Sequence, residues 1–133
     1  MRIVVDTNVI ASAIFFGGNP RELLRKCFSD EFEIVCTEDI FNEYIATIKK
    51  LTERYKKGSG TEIIPILAEN LVFIQNKFYE QYSRDPDDDK FLSCAIASKS
   101  KYIISGDKHL LKIGRYLNSR IITPRYFLDY VLK

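Results

Sequence analysis

Four carboxylates fall within five positions, Asp85 and Asp87 to Asp89, in the run Arg84-Asp85-Pro86-Asp87-Asp88-Asp89-Lys90-Phe91-Leu92-Ser93-Cys94-Ala95. The run leads directly into an apolar helical pattern. One or two acids there would serve the free N–H groups and the positive dipole end of a helix N-terminus. Four is more negative charge than a cap uses. Asp6 follows the apolar run Ile3-Val4-Val5, Asp107 follows Ser105-Gly106, and Glu43 sits in a helical stripe. Two carboxylates about 5 Å apart repel by about 3 kcal/mol at an effective dielectric near 20. Converging acids therefore keep protons or splay apart. A divalent cation removes the conflict, and hard oxygen donors without histidine or thiolate select Mg²⁺ or Mn²⁺. Such an ion acidifies water and offsets charge on a phosphate, so the pattern points to metal-assisted phosphodiester hydrolysis.

The elements that must position these acids alternate between two periodicities. Residues 2–5 form a continuous β-branched run, as a strand buried on both faces of a parallel sheet does. Asp6-Thr7-Asn8 suits a strand-end turn and helix cap, and a short apolar segment then runs from Val9 to Phe16. Pro20 opens a helix with Leu23, Leu24, Cys27 and Phe28 on one face. Residues 33–36 read as a second strand, and Thr37 caps a long helix carrying Ile40, Phe41, Tyr44, Ile45, Ile48 and Leu51. A basic turn, Lys56 to Gly60, precedes a helix over about 61–69 and a third strand over 71–74. Residues 76–84 have no clear pattern. The acidic helix spans about 87–99, a fourth strand 101–105, a short helix Leu110 to Ile113, a last strand 121–122 and a final helix 124–132. The alternation predicts a single α/β domain over residues 1–133. Its architecture is a three-layer α/β/α sandwich around a central, mostly parallel sheet of four or five strands.

In such a sheet ligands sit beyond the carboxyl ends of the strands. Asp6, Asp107 and Asp88 all belong on that rim. At about 100° per residue, Asp88 points between Phe91, Leu92 and Ala95 toward the buried face. Asp89 turns toward Ile96 at the flank and Asp87 points away, so both read as caps or solvated charges. Glu43 lies at the border of its stripe, near the same sheet edge.

Composition narrows the classes. The chain has 133 residues, 46% hydrophobic and 29% charged, as in an ordinary globular domain. No apolar run approaches the roughly 18 residues of a membrane span. The N-terminal strand followed by an acid is unlike a signal peptide, so a cytoplasmic setting is expected. Cys27, Cys36 and Cys94 are odd in number and widely spaced, which reads as buried thiols in a reducing compartment. His109 is the only histidine, which excludes a histidine-based zinc or iron site. The net charge of +2 announces no polyanion, although Lys49, Lys50, Arg54, Lys56 and Lys57 gather in one stretch. A solvated helix face accounts for those lysines equally well.

Taken in order, Asp6-Thr7-Asn8, the isolated Glu43, Asp85-Pro86-Asp87-Asp88-Asp89-Lys90-Phe91-Leu92 and Ser105-Gly106-Asp107-Lys108 resemble the PIN domain. Within it they are most similar to the bacterial and archaeal VapC-type toxins of toxin–antitoxin pairs. The resemblance covers essentially the whole chain. It implies a Mg²⁺- or Mn²⁺-dependent nuclease that cleaves RNA. Carried over position by position, it implies Asp6, Glu43, Asp88 and Asp107 as catalytic, metal-ligating acids. Asn8 and Ser105 are then polar helpers that hold the carboxylates in place or contact the metal-bound water, with Asp89 as a further supporting acid. Asp88 and Asp89 remain a choice between neighbours. Lys108, Arg84 and the basic stretch over residues 49–57 are candidate contacts to the RNA backbone. A homodimer and a small antitoxin protein are the implied partners.

Two other readings compete. Asp6-Thr7-Asn8 after a strand faintly resembles an aspartyl phosphotransferase, but Asn8 stands where a second acid is wanted. The other is a catalytically silent PIN-like module that holds RNA or a protein without cutting. The intact acidic set argues against it.

Overall fold

The continuous apolar runs become the strands of a sheet whose order is set by where the chain turns back. The structure is a computed structural model that describes residues 1–55, 60–75 and 86–132. Strand β1 (Arg2–Val5) is followed by helices α1 (Thr7–Phe15) and α2 (Gly18–Phe28), then β2 (Glu33–Cys36) and the long helix α3 (Glu38–Tyr55). A 3₁₀ turn at Gly60–Glu62 leads into α4 (Ile63–Asn70), β3 (Val72–Phe73), α5 (Pro86–Ser98) and β4 (Tyr102–Ile104). The chain ends with α6 (Lys108–Ile113), β5 (Arg115–Tyr116), β6 (Ser119–Ile122), α7 (Pro124–Tyr126) and a π-helical turn, Phe127–Val131.

The sheet order is β3-β2-β1-β4-β6-β5, parallel except for β5. Helices flank it, giving the expected three-layer α/β arrangement. From β1 the chain builds outward to β2 and β3, then returns to β4 on the other side of β1. The order therefore reverses between β1 and β4, and in open α/β sheets the carboxyl ends of strands at such a switch point are where ligands bind. Their register pairs Val5 with Ile104, and the Asp6 N–H donates to the Ile104 carbonyl at 2.9 Å. Asp6 and Ser105 are thus fixed side by side by the pairing itself.

The core explains why these segments hold. Ile3, Val4, Val5, Ile34, Val35, Ile103 and Ile104 are fully buried, as strands covered on both faces require. In α3 the stripe Ile40, Phe41, Tyr44 and Ile48 faces the sheet, and Thr37 Oγ1 accepts from the Ile40 N–H at 3.4 Å as the cap. Burial pushes the free thiols up, Cys27 to about 11 and both Cys36 and Cys94 to about 12, so they are neutral apolar fillers. Among the described residues no helix is long and apolar enough to cross a membrane.

Three details differ from the sequence expectation. The sheet has six strands, not four or five. The extra one, β5, is a two-residue edge strand of Arg and Tyr that carries no apolar run. It turns into β6 through Leu117 (φ +51°) and Asn118, and β6 starts at Ser119, two residues earlier than expected. The final helix begins at Pro124, capped by Thr123, but winds as a π-helix from Phe127. Phe127 packs edge-on against Phe32 and Tyr102.

Candidate active site

Asp6 occupies the N-cap position of α1, yet its side chain does not cap. Its Oδ2 instead accepts from Ser105 Oγ at 2.9 Å, and Ser105 Oγ accepts in turn from the Asp107 N–H at 2.9 Å. One serine therefore ties the acid after β1 to the acid after β4. Asp6 is 7% exposed and Ser105 is fully buried. Burial pushes the Asp6 carboxyl above its ordinary range. Ser105 and the Thr7 N–H pull it back, while the charges of Asp107 and Glu43 push it up further. Among the described residues no cationic side chain pairs with Asp6.

Glu43 reaches this rim from α3 and is held at both oxygens. Its Oε2 accepts from Thr7 Oγ1, and its Oε1 lies 2.5 Å from Lys90 Nζ. Tyr44, the next residue, is buried and donates to the Val5 carbonyl at 2.5 Å, docking α3 against the end of β1. Burial pushes the Tyr44 hydroxyl well above its ordinary value, so it stays protonated as a donor. Asp107 lies on the rim as the N-cap of α6, its Oδ1 accepting from the His109 N–H at 3.0 Å. Beside it, Asn8, Ser12, Thr123 and Arg125 line a cavity of about 460 Å³ that opens to solvent.

Asp88 is buried at the start of α5, as the helical angle predicts. Asp89 is equally buried, which corrects its reading as a solvated flank residue. The reason lies in α5 itself. Phe91, Leu92, Ser93, Cys94 and Ala95 are all buried in succession, so the helix has no single inward face from which an angle could discriminate. Asp87 is exposed, as expected. Lys108 opens α6 and is exposed beside Asp107, and Lys49, Lys50 and Arg54 are exposed on α3. Arg84, Asp85, Lys56 and Lys57 lie outside the described residues.

The structure thus joins Asp6, Ser105 and Asp107 in one hydrogen-bonded set, and Thr7, Glu43 and Lys90 in a second set beside it. Asp88 and Asp89 are buried at the start of α5, next in sequence to the Lys90 that pairs with Glu43. Among the described residues, no three acidic, imidazole or thiol side chains are arranged to hold a metal ion, so the expected four-acid cage is not preformed. Glu43 is turned to Lys90 and Asp107 to a backbone N–H instead. The donor chemistry nevertheless suits a hard divalent cation. Mg²⁺ is commonly held by one or two carboxylates plus water and substrate phosphate, not by an all-protein cage. A buried carboxyl pushed up by two neighbouring acids is the group such an ion would relieve. Thr7, Tyr44 and Lys90 escaped the sequence reading as site residues. Only Lys90 carried a signal, as a lone cation directly after the acidic run.

Fold and rim together define an α/β protein with Asp6 and Asp107 tied together through Ser105 at the switch point of its sheet. A family model described as the PIN domain matches residues 2–109, and the chain belongs to that family. PIN domains are generally nucleases and usually bind divalent metals. The matched span contains Asp6, Glu43, Asp88 and Asp107. The chain is also similar to the uncharacterised protein MJ1680 of Methanocaldococcus jannaschii. The two are 29% identical over 143 residues, which cover 97% of this chain and 90% of that protein.

Proposed function

We propose that this PIN domain is a Mg²⁺- or Mn²⁺-dependent endoribonuclease and the toxin of a toxin–antitoxin pair. The observation that carries the nuclease reading is Asp6, a buried acid whose proton affinity is raised by burial and by the charges of Asp107 and Glu43. Asp6 and Asp107 would hold the ion, with Asp88 and Glu43 as further oxygen donors. When bound, such an ion lowers the pKa of water and offsets the charge that develops on a phosphodiester.

The chain's own groups have separate tasks. Ser105 fixes the Asp6 carboxylate and, through the Asp107 N–H, the turn that carries Asp107. Thr7 and Lys90 orient Glu43 from opposite sides. Exposed Asn8 and Lys108 flank Asp107, where they can meet the RNA backbone, and Arg84 is assigned the same role from its place before the acidic run. The decisive experiment is cleavage of single-stranded RNA with Mn²⁺ or Mg²⁺, comparing wild type with Asp6→Asn. Cleavage that needs the cation and vanishes in a folded variant supports the assignment. Undiminished cleavage by Asp6→Asn refutes it.

The toxin role is supported by the motif resemblance to VapC-type proteins. Growth arrest on expression, relieved by a small neighbouring gene, tests it. A homodimer fits the exposed rings of Phe16 and Tyr55, which meet edge-on at the end of α1. Light scattering reads the assembly directly. One observation favours a non-cutting RNA-binding module instead: Lys90 occupies Glu43, and no three-ligand set stands ready among the described residues. Calorimetric titration that finds no Mn²⁺ binding by the wild type would select that reading.

A further inference from the structure

The rim opposite the acids carries its own built feature. A cleft of about 770 Å³ opens where β4 and β6 begin, within the size range of ligand pockets. Lys99, Lys101, Arg115 and Arg120 line it together with Tyr102 and Asn118, and no Asp or Glu is among its lining residues. Among the described residues none of the four cations is in an ion pair.

The sheet register concentrates this charge. Arg115 of β5 stands directly opposite Arg120 of β6, and Arg120 is in register with Tyr102 of β4. Like charges directly opposite on antiparallel strands work against the pairing. A bound polyanion would turn that repulsion into attraction. The scaffold under the charges is rigid. Ser119 Oγ donates to the Ser100 carbonyl at 2.6 Å, the Ser98 and Ser100 hydroxyls are 2.6 Å apart, and the Arg120 N–H donates to the Lys101 carbonyl at 2.8 Å. Lys99 is held at φ +56°, a conformation uncommon outside glycine, and exposed between the buried serines.

We propose that this cleft is a phosphodiester-binding site, which grips the backbone of an RNA on the rim remote from Asp6. Arg115 and Arg120 supply paired guanidinium forks for phosphate oxygens, and Lys99 and Lys101 continue the positive track. Tyr102 and Asn118 offer a ring and an amide to an unstacked base. That the polyanion is RNA rests on the nuclease reading. The cleft itself rests on register and charge alone.

The test measures binding of a fluorescein-labelled oligouridylate in EDTA, where no cleavage interferes. Lys99→Ala, Lys101→Ala and Arg115→Ala are combined, while Arg120 is kept because it packs over the Tyr126 ring at 5.5 Å. Affinity is expected to fall at least about tenfold. The slope of log affinity against log salt should drop by about 2, from about 0.7 per lost phosphate contact. The charge-conserving set Lys99→Arg, Lys101→Arg and Arg115→Lys should retain most of the binding. Unchanged affinity and slope in the alanine set would overturn the proposal, as would equal losses in the two sets. Polyglutamate bound as tightly as oligouridylate would also overturn it, reassigning the cleft to an acidic protein segment. Loss of oligouridylate binding in a protein whose wild type never cleaves RNA would uphold the cleft and sink only the nuclease reading.

Discussion

The two rims of the sheet carry opposite charge and handle it in opposite ways. At the carboxyl ends of β1 and β4, Asp6 and Ser105 are buried, and Asp88 and Asp89 are buried at the start of α5. At the amino ends of β4 and β6, Lys99, Lys101 and Arg115 are exposed on a floor of buried serines. Only about four residues of strand, roughly 13 Å, separate the two. A net charge of +2 conceals this polarity. Asp6 is desolvated and its proton affinity is raised, which suits chemistry. An exposed cation stays hydrated and screened by salt, which suits reversible holding of a long anion.

The acidic rim depends most heavily on Asp6, so Asp6→Asn should have the greatest consequence. Loss of this carboxylate should lower metal-dependent RNA cleavage by about three orders of magnitude, equivalent to about 4 kcal/mol of barrier. The same change should stabilise the protein in metal-free buffer at neutral pH. The folded state holds the Asp6 proton more tightly than the unfolded chain, whose carboxyl titrates near 3.8. Stability therefore falls as pH rises from that value through the raised folded one, and the deficit is complete above it. The variant's advantage in melting temperature should close on acidification toward pH 4. An Asp6→Asn protein that is less stable at neutral pH and gains nothing there would contradict the burial argument.

Ser105→Ala comes next. It removes the hydroxyl that bonds Asp6 and receives the Asp107 N–H, while leaving every acid in place. Supporting hydrogen bonds at such sites are worth about 10- to 100-fold in activity or metal affinity. The variant should need more Mn²⁺ for half-maximal cleavage and lose about 1–2 kcal/mol of stability from the unmet partners. An unchanged Mn²⁺ requirement would show that the serine serves packing alone.

These sites differ in how far the sequence discloses them. Asp6 and Asp107 could be placed because a β-branched run fixes where a strand stops, and the rim follows from the stop. Asp88 could be oriented because helical angle is a local property. Asp89 could not, since α5 is buried around more than one face and depth there depends on what packs against it. The Lys90–Glu43 pair joins α5 to α3, so the lone cation after the acidic run shows up in the sequence but its partner does not. The basic cleft is least visible, because Lys99 and Lys101 meet Arg115 and Arg120 only through β4–β6 pairing. The two-residue β5 that completes it has no hydrophobic pattern to detect.

Lys90→Met probes the acidic side by removing the cation that pairs with Glu43 while keeping side-chain length. Glu43 would keep its bond from Thr7 but regain an uncompensated charge beside Asp6. A divalent cation then becomes the remaining source of neutralisation. Mn²⁺ should bind about fivefold more tightly, equivalent to about 1 kcal/mol for a partly exposed pair. Weaker Mn²⁺ binding would mean that Lys90 positions Glu43 as a ligand instead of competing for it.

The smallest effect tests whether the basic rim carries a stability cost comparable in kind to that at Asp6. Arg115→Glu replaces a like-charge cross-strand pair with an opposite-charge pair at the same register position facing Arg120. Such pairs contribute about 0.2–1 kcal/mol, so the melting temperature should rise slightly at low salt. The gain should shrink as salt is added, because Arg115 is exposed and Arg120 only partly buried. RNA affinity should fall at the same time, so that stability and binding move in opposite directions, as at Asp6. A variant that loses both would place Arg115 in the hairpin's packing, and the parallel between the two rims would fail there.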